Sequence, residues 1–239
     1  MTQLLVAPCS HEAAKFAVMN WHYSQAMPAG KIVAYGVWED KSFVGAVLYG
    51  HGANNKLGKP YGLDMTECVE LVRIAMTNHK ATVSQVVAKT FQLLKASNPR
   101  IRLIVSFADP EQSHHGGIYQ AGNWIYAGAS AVADEYIVNG QRMHGRSVRA
   151  RRNSSGTSRE LNTLAWLHKH VDPNATRIDG SSKHRYLYPL DRAMRRKIQP
   201  LALPYPRGSS LKGETLTVPV RGSGSIPESR SIAPATDHD

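Results

Sequence analysis

A chain of 239 residues with 42% apolar side chains can bury one core of ordinary to large size, which excludes a wholly disordered polypeptide. Its net charge of +11 at pH 7 points to a polyanionic partner, most often nucleic acid, although solubility alone would also account for such an excess. Cys9 and Cys68 stand in no paired-ligand spacing and no apolar stretch approaches about 18 residues, so neither a disulfide framework, a cysteine zinc site nor a membrane partner is expected, and a soluble intracellular protein is.

In chain order, LLVAP at residues 4–8 reads as a strand, and Ser10 reads as the N-cap of an amphipathic helix from His11 to Asn20. That helix runs out at His22, Tyr23 and Ser24, either a substrate-facing cluster or a helix end whose aromatics pack locally. Lys31–Glu39 and Ser42–Gly50 are β-rich runs joined by Asp40-Lys41, a hairpin signal. The loop HGANNKLGKPYGLD follows, long enough to suggest a function. Glu67–Met76 supplies another strand, and Val83–Ala96 a helix capped by Thr82 or Ser84 with an apolar face for the core.

The stretch from Arg100 to Gly128 organises the rest. IRLIVSF at 101–107 reads as an interior strand covered on both faces, and Asp109-Pro110 breaks it because proline cannot continue a ladder. Glu111, Gln112, Ser113, His114 and His115 follow, then Gly116-Gly117 turns into a short helix bearing Ile118, Tyr119 and Ala121 that Gly122-Asn123 closes. Titratable groups thus gather at the carboxyl end of a central strand, where open α/β sheets place their ligands. Trp124–Tyr126 restarts an extended run. Glu135–Val138 and Met143–Val148 flank Asn139-Gly140, a second hairpin, and a helix is expected over Arg159–His170 with Trp166 and Leu167 inward.

The basicity is regional. Residues 142–200 hold 14 Lys or Arg against 4 Asp or Glu, whereas the first 141 residues hold 11 against 10. Arg149, Arg151 and Arg152, then Lys183, Arg185, Arg195 and Arg196, are interleaved with Tyr186 and Tyr188, which suits a surface that tracks a nucleic-acid backbone and stacks bases. A solvated helical face is the plainer reading. From Arg207 onward Gly, Ser, Pro and Thr predominate and a disordered tail is expected. The expected organisation is a catalytic core over 1–150, a basic helical extension over 151–206 packed on it, and a tail over 207–239.

The order of strands and helices over roughly residues 1–150 resembles the GNAT acyltransferase fold, an α/β class with a mixed central sheet flanked by helices. More specifically, HYS at 22–24, ECVELVRIA at 67–75, VSFADPEQSHHGGIYQAGNWIY at 105–126 and KHRYLYPLDRAMRR at 183–196 resemble the phage Mom family of DNA-modification proteins. The resemblance implies double-stranded DNA as substrate, a carbamoylmethyl group placed on the exocyclic amine of adenine, protection of phage DNA from restriction, and work in the cytoplasm of the bacterial host. It implies Tyr119 as the acid that protonates the leaving group, with Asp109, His114, His115 and Glu70 as further catalytic residues. His22, Tyr23, Ser24, Tyr49 and Ser106 would contact the substrate, Glu70 and Tyr49 facing one cleft and Tyr23 stacking a base taken out of the duplex. The family's connection with iron makes His22, Asp109, His114 and His115 candidate ligands, though no two-histidine helical spacing is present.

One departure bears on the donor. GNAT enzymes cradle the pyrophosphate of acetyl-CoA on a glycine-rich loop after the fourth strand, and here that connection is TNHKAT at 77–82, without a glycine. Carbamoylmethyl is an isomer of glycyl, so acylation of the adenine amine by glycine, attack of the glycyl amine on the adjacent ring carbon and opening of the resulting ring would give the modified base. Glycyl-tRNA therefore stands beside acetyl-CoA as donor. A DNA-binding protein without catalysis on the same scaffold, and an ordinary acetyl-CoA-dependent acetyltransferase, are the alternatives.

Overall fold

The computed structural model describes residues 3–52, 56–156 and 162–206. The chain divides into two compact units: one comprises residues 1–107, 116–127 and 185 onward, the other 108–115 and 128–184. The expected tail lies outside the described residues.

The first unit is built on a seven-stranded sheet in the order β1-β2-β3-β4-β5-β10-β6. Its strands are β1 (Leu4–Pro8), β2 (Ile32–Glu39), β3 (Ser42–Gly50), β4 (Cys68–Met76), β5 (Leu103–Ala108), β6 (Ile125–Ala129) and β10 (His184–Pro189). β1 to β4 pair antiparallel, and β5 pairs parallel with β4 through the crossover helix α2 (Val83–Ser97). Asp40 and Lys41 both take positive φ, 48° and 69°, as a two-residue hairpin requires. α1 (His11–Trp21) starts at Ser10, whose side chain accepts the Ala13 N–H, and α2 starts with a full capping box of Thr82 and Gln85. α1 sets Ala14, Ala17 and Val18 against Ala46, Leu48 and Ala75. The next residue of β3, Tyr49, points to the opposite face and bonds Thr90 of α2, so the two helices cover opposite faces. A further cluster joins Leu103 and Val105 of β5 to Leu187 of β10 and to Met194 and Ile198 of α6 (Arg192–Ile198). The short helix α3 (Gly117–Ala121) follows Gly116, which sits in the left-handed region at φ 83°.

The second unit holds a three-stranded antiparallel sheet in the order β8-β7-β9, from β7 (Asp134–Val138), β8 (Gln141–His144) and β9 (Thr176–Asp179), with α4 (Gly145–Ser154) and α5 (Thr163–His170). Its core is Tyr136, Val138, Val148, Trp166, Leu167 and Ala175.

Several expectations are corrected. The second hairpin strand does not reach Val148: His144 Nδ1 accepts the Arg146 N–H and starts a helix, and Val148 is buried on that helix. α5 begins at Thr163 with Asn162 as cap; residues 157–161 of the expected helix lie outside the described residues. Residues 151–206 are not a helical extension, because they also contribute β9 to the small sheet and β10 to the interior of the large one.

Candidate active site

The centre of the first unit is a short relay of hydroxyl groups. Ser106 Oγ on β5, 1% exposed, lies 2.8 Å from the Tyr119 hydroxyl on α3 and 2.9 Å from the Leu71 carbonyl on β4. A carbonyl only accepts, so when the single Ser106 proton goes to Leu71 the Tyr119 hydroxyl donates to Ser106 Oγ. The ring of Tyr119 packs at 5.0 Å from Trp124 and 4.9 Å from Tyr186. Tyr23 and Glu70 lie within electrostatic reach of its hydroxyl. A cavity of 30 Å³, lined by Ser84, Phe91, Tyr119, Trp124 and Tyr188 among others, adjoins the ring and has room for about one water.

Burial pushes the Tyr119 hydroxyl up to about 12, partly opposed by the Ser106 hydrogen bond and reinforced by Tyr23, Glu70 and Tyr186. An ordinary tyrosine titrates near 10, so the folded chain keeps a proton that the unfolded chain loses between pH 10 and 12. The stability this contributes is complete below pH 10 and is lost as pH rises towards 12, a change of up to about 3 kcal/mol. Denaturant unfolding at pH 8, 10 and 11.5 should therefore fall more steeply for the parent than for Tyr119→Phe; parallel curves would contradict the buried, protonated hydroxyl.

The HYS cluster closes on itself. His22, 9% exposed, directs Nδ1 to Ser24, 2.8 Å from its Oγ and 3.1 Å from its N–H, while Tyr23, 51% exposed, stacks on the His22 ring at 4.3 Å. Tyr23 is thus the member of the trio offered to a ligand. Tyr49 is not: it is fully buried, with its hydroxyl 2.5 Å from Thr90 Oγ1. Nor does it face one cleft with Glu70. Tyr49 pairs with Leu71 and Gly50 with Glu70, and neighbouring residues of a strand point to opposite faces. Ser106 likewise touches Tyr119 and not solvent. Glu70 packs its carboxylate where a Cβ on Gly52 would stand.

Asp109, His114 and His115 belong to the second unit. Asp109 Oδ2 pairs with Lys183 Nζ at 2.9 Å, and its Oδ1 accepts the Glu111 N–H at 3.1 Å and the Ser181 hydroxyl at 3.4 Å. Burial alone would raise this carboxyl, but the lysine and those donors outweigh it and hold the group below its ordinary value. Asp109 therefore stays ionised as an anchor for Lys183 and is poorly suited to act as a proton acceptor. The His115 and His184 rings lie 6.4 Å apart, and burial first, then His115, keeps His184 below the usual imidazole range. Among the described residues no group of three or more His, Cys, Asp or Glu is placed to hold a metal ion. The expected iron ligands are otherwise engaged, Asp109 by Lys183 and His22 by Ser24, and no step is routed through a metal.

The basic residues divide by what they touch. In the first unit Arg195 and Arg196 of α6 are exposed, and Arg185 on β10 is half-buried. In the second, Arg151 is exposed, Arg149 pairs with Asp134 at 3.2 Å, and Arg152 donates to Thr163 Oγ1 at 3.3 Å. Arg177 shares Asp134, and Arg142 bridges Glu111 and Glu135. Half of the expected contact residues are thus already held within the protein. No helix among the described residues is long and apolar enough to cross a membrane.

Four antiparallel strands that lead through a crossover helix to a fifth strand parallel to the fourth, with a tyrosine hydroxyl beside that strand, define the GNAT-like fold class expected from the sequence. Within that class the chain belongs to the Mom protein family, whose profile matches residues 3–207. It is similar to the methylcarbamoylase mom of Escherichia phage Mu, 24% identical over 146 residues that cover 59% of this chain and 60% of that protein. The chain thus matches about 60% of the length of this curated relative. Solved structures it resembles include the spermidine/spermine N-acetyltransferase SpeG of Vibrio cholerae, at 10% identity, 81% and 96% coverage of the two chains and a TM-score of 0.41. FeeM, an N-acyl amino acid synthase from uncultured soil microbes, is similar at 10% identity, 82% and 95% coverage and a TM-score of 0.44.

Proposed function

We propose that the chain is a DNA-modifying acyl-transfer enzyme that converts adenine in double-stranded DNA to its carbamoylmethyl derivative, in the cytoplasm of a bacterial host, and so protects phage DNA from restriction. The observation that carries the reading is the Tyr119 hydroxyl, buried and held by Ser106 within reach of exposed Tyr23, in a member of the Mom family. In the first step a new bond joins the glycyl carbonyl carbon to the adenine amine while the bond from that carbon to the donor oxygen breaks. The amine gives up one proton to a base, for which Glu70 is the carboxylate nearest in kind and place, and Tyr119 returns one to the leaving oxygen. In the second step the glycyl amine attacks the ring carbon that bears the acylated nitrogen. The bond from that carbon to the original nitrogen breaks, a proton passes to the departing amide, and the carbamoylmethyl group results with no change in atoms or oxidation state. Tyr23 stacks the flipped adenine.

Nucleosides from DNA of cells expressing the chain, analysed by mass spectrometry, should include a heavier adenine. Purified protein supplied with DNA and either glycyl-tRNA or acetyl-CoA identifies the donor, and DNA left unmodified in cells by soluble protein would overturn the reading. The exposed arginines of α6 give a separate expectation. Arg195→Ala with Arg196→Ala should weaken DNA binding at all sequences and lower the slope of log affinity against log salt by about 2. An unchanged slope in a salt titration would remove α6 from the DNA surface.

A further inference from the structure

A GNAT-like fold holds the pyrophosphate of acetyl-CoA on backbone N–H groups between the fourth strand and the helix that follows. In this chain those groups are engaged by the protein itself. Glu39, the last residue of β2 and 5% exposed, sends its carboxylate into the turn. Its Oε2 accepts the Lys80 N–H at 2.8 Å, and its Oε1 accepts the Ala81 N–H at 2.7 Å and shares that of Lys80 at 3.0 Å. The next amide, Thr82, donates to Gln85 Oε1 at 3.1 Å, and the Gln85 amide donates to Thr82 Oγ1 at 3.3 Å. At the start of the turn the Thr77 N–H is used by the Val44 carbonyl at 2.9 Å. Lys80, the turn's own cation, directs its ammonium to Asp40 at 3.5 Å.

We infer that Glu39 is a built-in anion occupying the phosphate cradle of the fold, and that the acyl donor of this chain is not a coenzyme A thioester held by its diphosphate at this turn. A diphosphate arriving there would meet a buried negative charge on the amides it needs, and like charges that close repel strongly in a partly desolvated site. No glycine is present in TNHKAT to let a second anion approach the backbone. The carboxylate also joins the end of β2 to the start of α2, so expelling it would cost the fold one of its joints. The donor class that remains carries its acyl group without a diphosphate, as an aminoacyl ester on a ribose hydroxyl does. Tyr119 agrees with that class, because an alkoxide leaving group needs a proton whereas a thiolate, conjugate to a thiol of pKa about 8.5, does not. The donor class rests on the acyl-transfer reading above; the closure of the turn does not.

Thermal unfolding of the full chain with and without coenzyme A, and with and without inorganic pyrophosphate, tests the inference in the parent, Glu39→Gln and Glu39→Ala. The parent should be unmoved by either ligand. Glu39→Ala should unfold lower by roughly 5–10 °C and regain part of that loss in pyrophosphate, which takes up the freed amides. Glu39→Gln, which keeps the shape and one acceptor oxygen, should be shifted less, and it carries the test if the alanine variant does not fold. A saturable rise in the parent's unfolding temperature with coenzyme A, or variants that unfold with the parent, would overturn the inference and leave DNA modification standing. Unmodified DNA would sink the proposed function and leave the closed turn intact.

Discussion

Tyr119→Phe is expected to lower the rate of adenine modification by about two to four orders of magnitude, the usual loss when a positioned acid is removed, with little change in fold or DNA affinity. Phenylalanine keeps the ring contacts to Trp124 and Tyr186, and Ser106 keeps its bond to the Leu71 carbonyl. What disappears is one proton donor beside a serine that still has a partner, so the stability change should stay near about 1 kcal/mol. Single-turnover modification at saturating donor, with DNA binding measured beside it, separates the two effects. A loss under about tenfold in rate would return Tyr119 to the role of a packed helix aromatic. The raised proton affinity of this hydroxyl sharpens the comparison: the parent should hold its rate into the alkaline range where an ordinary tyrosine would already have ionised.

The parts of this fold that local chemistry dictates were legible in the sequence. Ser10 and Thr82 cap helices where their side chains bond the first free amides, and Asp40-Lys41 and Asn139-Gly140 turn hairpins because those positions take positive φ. β10 was not legible. HRYLYP carries two basic residues and lies in a region whose charge suggested a solvated surface, yet Tyr186 and Leu187 are fully buried within the large sheet. The helical start at Gly145 escaped because its cap is a histidine, outside the usual capping set, at the end of a convincing strand.

The site divides in the same manner. Tyr119 was legible from its place on a short helix after the central strand. Its partner Ser106 was legible only as a neighbour of the cleft, since the relay also needs a carbonyl on β4. The fates of Asp109 and Glu39 depend on Lys183 and on the amides of Lys80 and Ala81, partners 74 and about 41 residues away, so no local pattern announces them. A strand-end glutamate before a turn reads as a solvated charge, and only the tertiary structure shows it buried on backbone donors.

The second large effect is expected at the paired glycines that launch α3. Gly116 lies at φ 83° and a Cβ there would overlap the Tyr186 ring, whereas Gly117 has nothing within 4 Å of its Cβ position. Gly116→Ala should therefore combine about 1–2 kcal/mol of left-handed backbone strain with displacement of a buried tyrosine, for a total near about 3 kcal/mol. The displaced group is the one stacked on Tyr119, so the same change should misplace the catalytic hydroxyl and cut modification well beyond what lost stability explains. Gly117→Ala fills open space at the first helical position and should be neutral or stabilising by up to about 1 kcal/mol. Denaturant unfolding and single-turnover rates of the two variants check this directly. Equal behaviour of the two would mean that the entry to α3 is not held in the left-handed turn and that Tyr119 is positioned by the sheet alone.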